Sequence, residues 1–257
     1  MPDCKECEWL ADEKCRAYLA EWLVLPVNSV RACVVAISEE YCRLIQPGMR
    51  VLEIGCGTWS PIQEHCKKLG VAWEGIDASD TYFGEKTIAT RIESVEALSF
   101  DDASFDLVIG NQTLEHWNEF GCKPEAGIWQ CFRVCKVGGR VFMNVPIHLH
   151  GSRIFVEGDM PAIDGLFRPY SSDVQMNPWR KRSAPLPAVN LLEGYEHSGD
   201  PVTYSLDVRA TRKAGLPPRP SGYTIHARAW RELMDHRWGY LLWKAMNQAR
   251  LRLSRAA

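Results

Sequence analysis

VLEIGCGTWSP, residues Val51 to Pro61, is an apolar run carrying one acid, then two glycines one residue apart, then a tryptophan where a third glycine would extend the pattern. An apolar run that feeds a glycine turn reads as a buried strand entering a helix, and the neighbouring segments repeat that rhythm. Short apolar strands are expected at Val51–Ile54, Ala72–Ile76, Leu107–Ile109 and Val141–Val145, with a weaker one near Thr87–Ile92. The intervals between them have helical length, so the expected class is α/β, a parallel sheet with helices on its faces.

The flanks differ in texture. Trp9, Leu10, Tyr18, Leu19, Trp22 and Leu23 recur at helical spacing until Pro26 stops the pattern, and a second helix is expected from Asn28 or Ser29 to about Ile45. Beyond Pro146, residues 151–200 are rich in Gly, Pro, Asp and aromatics with little periodicity, which predicts an irregular cap. Val202–Lys213 alternates as a late strand, Gly215–Gly222 (GLPPRPSG) reads as a stiff linker, and His226–Arg255 as a basic amphipathic helix. That helix has three uses open to it: packing on the core, pairing in a homodimer, or peripheral contact with an anionic membrane. The expected division is a helical segment over 1–47, a central domain over 48–213 with the cap inserted at about 151–200, and a linker plus helix over 214–257.

Composition narrows the partners. The 257 residues carry a net charge of −2, so no global basic field marks a large nucleic-acid surface, and a small or uncharged partner is favoured. The N-terminus lacks a basic stretch followed by an apolar one, and no apolar run reaches the roughly 20 residues that span a bilayer. A cytoplasmic protein without a transmembrane segment is expected. Of ten cysteines, Cys33, Cys42, Cys56, Cys131 and Cys135 sit in apolar or helical contexts as core thiols. Cys4, Cys7 and Cys15 have the spacing of three zinc ligands without an evident fourth; loosely packed thiols are the alternative, and no metal is expected to serve the chemistry.

In an open α/β sheet, ligands bind beyond the carboxyl ends of the strands, and the first strand-to-helix turn is the usual cradle. Asp77 ends the next strand 20 positions after Gly57, where a carboxylate can accept both hydroxyls of a ribose. A dinucleotide's pyrophosphate would need an open helix N-terminus, but Ser60, Pro61 and Gln63 form an S-x-x-Q capping box with proline at the first helical position. Glu53 would repel phosphate and welcome an ammonium group. The ligand should therefore combine an amine, a carboxylate and a ribose, as S-adenosylmethionine does.

Residues 48–150 resemble a class I S-adenosylmethionine-dependent methyltransferase, of the methyltransferase type 11 kind, through PGMRVLEIGCGT, WEGIDAS, VEALSFDDASFDLVIGNQTLEHW and FRVCKVGGRVFMNVP in that order. The resemblance implies a Rossmann-like, seven-stranded, mostly parallel sheet. It implies that Glu53 binds the methionine amine, that Gly55, Cys56 and Gly57 approach the cofactor, that Asp77 with Ala78 holds the ribose, and that Asn111 and Gln112 lie across the sulfonium. Related sequences commonly carry aspartate where Ser94 stands; Ser94, followed by Val95, can accept the same adenine hydrogen bond, with Glu93 and Glu96 as substitutes. Trp59 departs from the pattern too, with two readings: packing on the capped helix or the N-terminal helices, or lining the methionine or acceptor pocket.

Methyl transfer from a sulfonium needs positioning above all, and a base only where the acceptor must lose a proton. His148 and His150, just past the Val141–Val145 strand, and His116, after the Leu107–Ile109 strand, are the candidates. The 151–200 texture is similar to that of bacterial polysaccharide-tailoring methyltransferases, so the expected acceptor is a sugar or glycan hydroxyl. Two other readings stay open, a lipid-like or quinone acceptor and a catalytically silent S-adenosylmethionine-binding partner protein; a nicotinamide-dependent reductase is disfavoured by the missing third glycine.

Overall fold

The computed structural model describes residues 29–82, 85–118, 120–147, 151–180, 184–185 and 204–220. Helix α1 (Ser29–Cys42) precedes strand β1 (Arg50–Ile54), which delivers the glycine turn to α2 (Pro61–Leu69). The Ser60 hydroxyl accepts the N–H groups of Ile62 and Gln63 at 3.1 and 3.2 Å, Pro61 fills the first helical position, and Gly70 closes the helix at φ 65°. Strand β2 (Ala72–Asp77) follows, then a small hairpin of β3 (Thr81–Tyr82) and β4 (Glu85–Lys86), and β5 (Arg91–Ile92).

Strand β6 (Phe105–Asn111), helix α3 (Pro124–Val134) and strand β7 (Cys135–Ile147) complete the expected alternation. Within 151–200, where an irregular cap was expected, residues 153–180 fold as α4 (Arg153–Glu157), α5 (Met160–Phe167) and β8 (Ser171–Arg180), and a two-residue strand β9 (Ala184–Pro185) follows. Strand β10 (Tyr204–Arg212) is the last element described.

The main sheet runs β5-β2-β1-β6-β7-β10-β8-β9, seven strands of a Rossmann-like layer extended by the short β9 edge. Strands β2, β5, β6 and β7 lie parallel around β1, whereas β10 enters antiparallel between β7 and β8. Period-two alternation divides the core between the two faces. Val51, Leu107, Ile109 and Phe142 pack under α1 and α2 with Ile37, Tyr41 and Ile62, while Leu52, Ile54, Val108, Val141, Met143, Leu206 and Val208 pack on the α3–α5 side.

One row breaks the apolar pattern. Asn111, Asn144, Asp207 and Asn177 stand at a single register across β6, β7, β10 and β8. The Tyr41 hydroxyl of α1 donates to Asp207 at 2.5 Å and the Ser38 hydroxyl donates to the Asn111 side-chain amide oxygen at 3.5 Å, so this polar row seats α1 on the sheet. After β10 the chain does not leave the domain as a free linker. Leu216 packs against the core and the Trp129 indole donates to the Pro217 carbonyl at 2.9 Å. Among the described residues no helix is long and apolar enough to cross a membrane.

Candidate active site

The carboxyl ends of β1, β2 and β6 converge on a pocket lined by Ile54, Gly55, Asp77, Ala78, Ser94, Val95, Thr113, His116 and Trp117, among others. Sequence reasoning reached Gly55, Asp77, Ala78, Ser94, Val95 and His116. Thr113 and Trp117 were missed, because nothing in their local pattern shows that the chain after β6 folds back over the turn.

Gly55 and Gly57 both adopt left-handed backbone, φ 65° and 61°. A Cβ on Gly55 would stand 2.2 Å from the Thr113 hydroxyl, so this position excludes a side chain sterically as well as conformationally. The turn is tied to β2: Gly55 N–H donates to the Ile76 carbonyl at 2.8 Å and Gly57 N–H to the Asp77 carboxylate at 3.0 Å. Asp77 also accepts from Ser79 N–H at 3.3 Å. Burial raises the Asp77 carboxyl above its ordinary value, opposed by the N–H groups of Gly57, Ser79 and Ala78.

Glu53 is nearly closed to solvent, at 2% exposure, on the α1/α2 side of the sheet. It accepts the Ser60 hydroxyl at 2.6 Å, the Trp73 indole N–H at 3.0 Å and the Asn111 amide at 3.4 Å. Burial pushes the Glu53 carboxyl up to about 7 against the pull of these three donors. Ser60 thereby has two duties, capping α2 and bonding Glu53, and the N-terminus of α2 faces its own serine rather than an anion. Cys56 is buried between Glu53 and Asp77, and burial first, then both carboxylates, raises its thiol far above the ordinary range, leaving it an unreactive packing group.

Asn111 and Gln112 take up positions that differ from a simple span across the mouth. Asn111 bridges Glu53 and Asn144, accepting the Asn144 amide at 2.5 Å. Gln112 is held at φ 51°, a strained backbone for a side-chain-bearing residue, with its N–H on the Asn144 carbonyl at 2.9 Å. Its side-chain amide donates to the Asn144 amide oxygen at 2.9 Å and to the Ser205 hydroxyl at 3.1 Å, so it turns back onto β7 and β10. Ser94 uses its hydroxyl to accept Glu96 N–H at 3.3 Å and cap a single 3-10 turn, Val95–Ala97, while still lining the pocket.

His116 ends another 3-10 turn, Leu114–His116, with Nε2 3.8 Å from the buried Glu115 carboxylate. It lies on the Asp77 side of the turn and shares that pocket's wall. Trp59, 44% exposed, lines a separate groove between α1 and α2 with Cys42, Pro61, Glu64 and His65, and is absent from the Asp77 pocket lining. Cys42 is half-buried and Cys131 and Cys135 are buried, as core thiols should be. Cys4, Cys7, Cys15, His148, His150 and the basic segment 226–255 lie outside the described residues, as does the side chain of Cys33. Among the described residues no cluster of three or more His, Cys, Asp or Glu could hold a metal ion.

The donors fit the ligand that the sequence implies. A buried carboxylate at Glu53 suits an ammonium group, the half-buried carboxylate of Asp77 suits a diol, and the two glycines of the turn between them let a ligand approach the backbone. Residues 52–143 match the family described as "Methyltransferase domain". A search of curated proteins finds no match. Among solved structures, the chain is similar to phospholethanolamine N-methyltransferase 2 of Haemonchus contortus, at 15% identity over 77% of this chain and 56% of that one, TM-score 0.49. The 4+2 cyclase SpnF matches at 14% identity over 73% of this chain and 84% of that one, TM-score 0.48. Geranyl diphosphate C-methyltransferase of Streptomyces coelicolor matches at 12% identity over 69% of this chain and 79% of that one, TM-score 0.45.

Proposed function

We propose that the chain, whose residues 52–143 match a methyltransferase domain, uses S-adenosylmethionine to methylate an oxygen of a small polar acceptor, with a sugar or glycan hydroxyl as the first candidate. The observation that carries the cofactor site is the placement of two carboxylates, the buried Glu53 and the half-buried Asp77, on either side of a turn whose glycines are both left-handed. In this reading Glu53 holds the methionine ammonium, Gly55 and Gly57 admit the cofactor to the backbone, and Asp77 takes the ribose hydroxyls. Ser94 and Val95 wall the adenine side.

Bound S-adenosylmethionine supplies a methyl group already activated by its sulfonium. The protein's share is to orient the acceptor oxygen for in-line approach and to receive its proton. Gln112, Asn144 and Ser205 gather amide and hydroxyl groups where the carboxyl ends of β6 and β7 lie beside the amino end of β10, a setting that supports a hydrogen-bonding acceptor over an apolar one. His148 and His150, the first and third residues after Ile147 in sequence, are our candidates for the base. His116, on the cofactor side, is assigned to the pocket wall.

Calorimetric titration tests the reading: S-adenosylhomocysteine binds and NAD does not. Transfer of labelled methyl to a panel of sugars, then quinones and lipids, identifies the acceptor class; labelling of the apolar compounds alone would overturn the polar-acceptor proposal.

Glu53 makes the affinity depend on pH. An ammonium ligand needs the ionised carboxylate, and a carboxyl raised to about 7 is mostly protonated at pH 6. Binding of S-adenosylhomocysteine should therefore strengthen roughly eightfold between pH 6 and pH 7.5. Glu53→Gln keeps hydrogen-bonding partners for Ser60 and Trp73 but removes the titration, so its weaker affinity should be flat over that interval. A wild-type profile as flat as the variant's would count against the assignment of Glu53 to the amine.

A further inference from the structure

We propose that the segment following β10, Lys213 to Pro220, is an outer clamp for the wall of the cofactor pocket, and that Arg219 is its positioning residue. The proposal rests on the reading of the Asp77 pocket as the S-adenosylmethionine site.

The wall is the Glu93–Asp102 loop, whose inner side presents Glu93, Ser94 and Val95 to the pocket. It has little regular structure of its own, one 3-10 turn at Val95–Ala97, so its position depends on what grips its outer side. Two residues of α3 do so. Arg133 donates to the carbonyls of Leu98 at 2.7 Å and Phe100 at 2.8 Å and pairs with Asp102 at 2.7 Å. Its Nε also donates to the Gln130 amide oxygen at 2.6 Å, which orients that side chain so that its amide nitrogen donates to the Glu96 carbonyl at 2.8 Å.

The same carbonyl receives a second donor from far along the chain. Arg219 Nη2 reaches Glu96 O at 2.7 Å, 123 residues away in sequence. Arg219 is brought there by a laid-down strap: Lys213 N–H donating to the Tyr170 carbonyl at 3.0 Å, Leu216 half-buried against the core, and the Pro217 carbonyl accepting the Trp129 indole N–H. The guanidinium lies 6.0 Å from the Trp129 ring centre, so one tryptophan holds the strap's backbone and flanks its arginine. The prolines at 217, 218 and 220 stiffen the strap and reduce the entropy lost on docking.

A charged donor on the carbonyl of the residue between Val95 and Ala97 fixes the turn that carries Val95. Docking of the strap and filling of the pocket therefore stabilise the same conformation of this wall, and each favours the other.

The test compares wild type, Arg219→Ala and Arg219→Lys as full chains, with S-adenosylhomocysteine as the probe. Arg219→Ala should bind it about fivefold more weakly, and Arg219→Lys, which keeps a cationic donor, should recover part of the loss. Without ligand, amide exchange at Glu96 and Ala97 should be faster in Arg219→Ala, while exchange in β1 and β6 stays unchanged. Wild-type affinity and wild-type exchange at Glu96 and Ala97 in Arg219→Ala would overturn the proposal and leave the cofactor reading standing. If the wild type itself fails to bind S-adenosylhomocysteine, the cofactor reading falls and takes the clamp's function with it, whatever the exchange data show.

Discussion

Asp77→Ala should bind S-adenosylhomocysteine at least about 100-fold more weakly than the wild type in a calorimetric titration. Two charge-assisted hydrogen bonds to ribose hydroxyls, each contributing about 1.5–3 kcal/mol, account for a loss of that size. A second effect adds to it, because the variant also removes the acceptor for Gly57 N–H, the contact that ties the glycine turn to β2. Asp77→Asn separates the two: its amide oxygen can still accept from Gly57, so it should fall between the wild type and Asp77→Ala. An affinity for Asp77→Ala within threefold of the wild type would remove the ribose role from this residue.

The largest loss of stability is expected from Asp207→Ala. Asp207 is fully buried and receives the Tyr41 hydroxyl at 2.5 Å and the Arg209 Nε at 2.7 Å. Removing it strands a buried hydroxyl and a guanidinium at the α1–sheet junction, a type of change that costs about 3–5 kcal/mol. For a chain of this size that lowers the melting temperature by roughly 10 °C. Tyr41→Phe alone should also destabilise, and adding it to Asp207→Ala should cost little more, since the shared hydrogen bond is already gone. Additive effects of the two substitutions would show that Tyr41 and Asp207 contribute separately.

How much of this was legible in the sequence depends on how local each feature is. Strands β1 and β6 and the second half of β7 are buried on both faces or nearly so, and such strands are written as largely apolar runs; their interiors were found and their ends were underestimated. Strand β7 begins at Cys135, a start hidden in the sequence because Lys136, Gly138, Gly139 and Arg140 are polar or glycine and Val137 is exposed. Strand β8 escaped notice for a related reason: SSDVQMNPWR carries Asn177 in the polar row and leaves Ser172, Asp173 and Gln175 exposed, so it reads as a loop until β10 is laid beside it.

The site divides in the same way. The glycine turn, Asp77 and the serine cap depend on spacings within a few residues or one strand-helix unit, and a pattern can hold them. Three donors around Glu53 come from the turn, β2 and β6, and only the serine is near it in sequence. Gln130, Arg133 and Arg219 meet the pocket wall across 31 to 123 residues, with no periodicity linking them. The glycine- and proline-rich segment was read as a linker from its composition, which records stiffness but not what the stiff segment lies against.

The placement of β10 bears on how the chain is made as well as on how it works. A ribosome releases β8 before β10, yet among the described residues the neighbours of β8 in the main sheet are β10 on one side and the two-residue β9 on the other. Until residues 204–212 emerge, β7 presents a long apolar edge to the cell and β8 has nowhere to dock. The nascent chain therefore passes through an interval in which its central strand is open to pairing with other chains, and that interval closes only when β10 is synthesised. Premature stops or frameshifts between residues 181 and 203 should thus yield aggregates rather than a smaller working core.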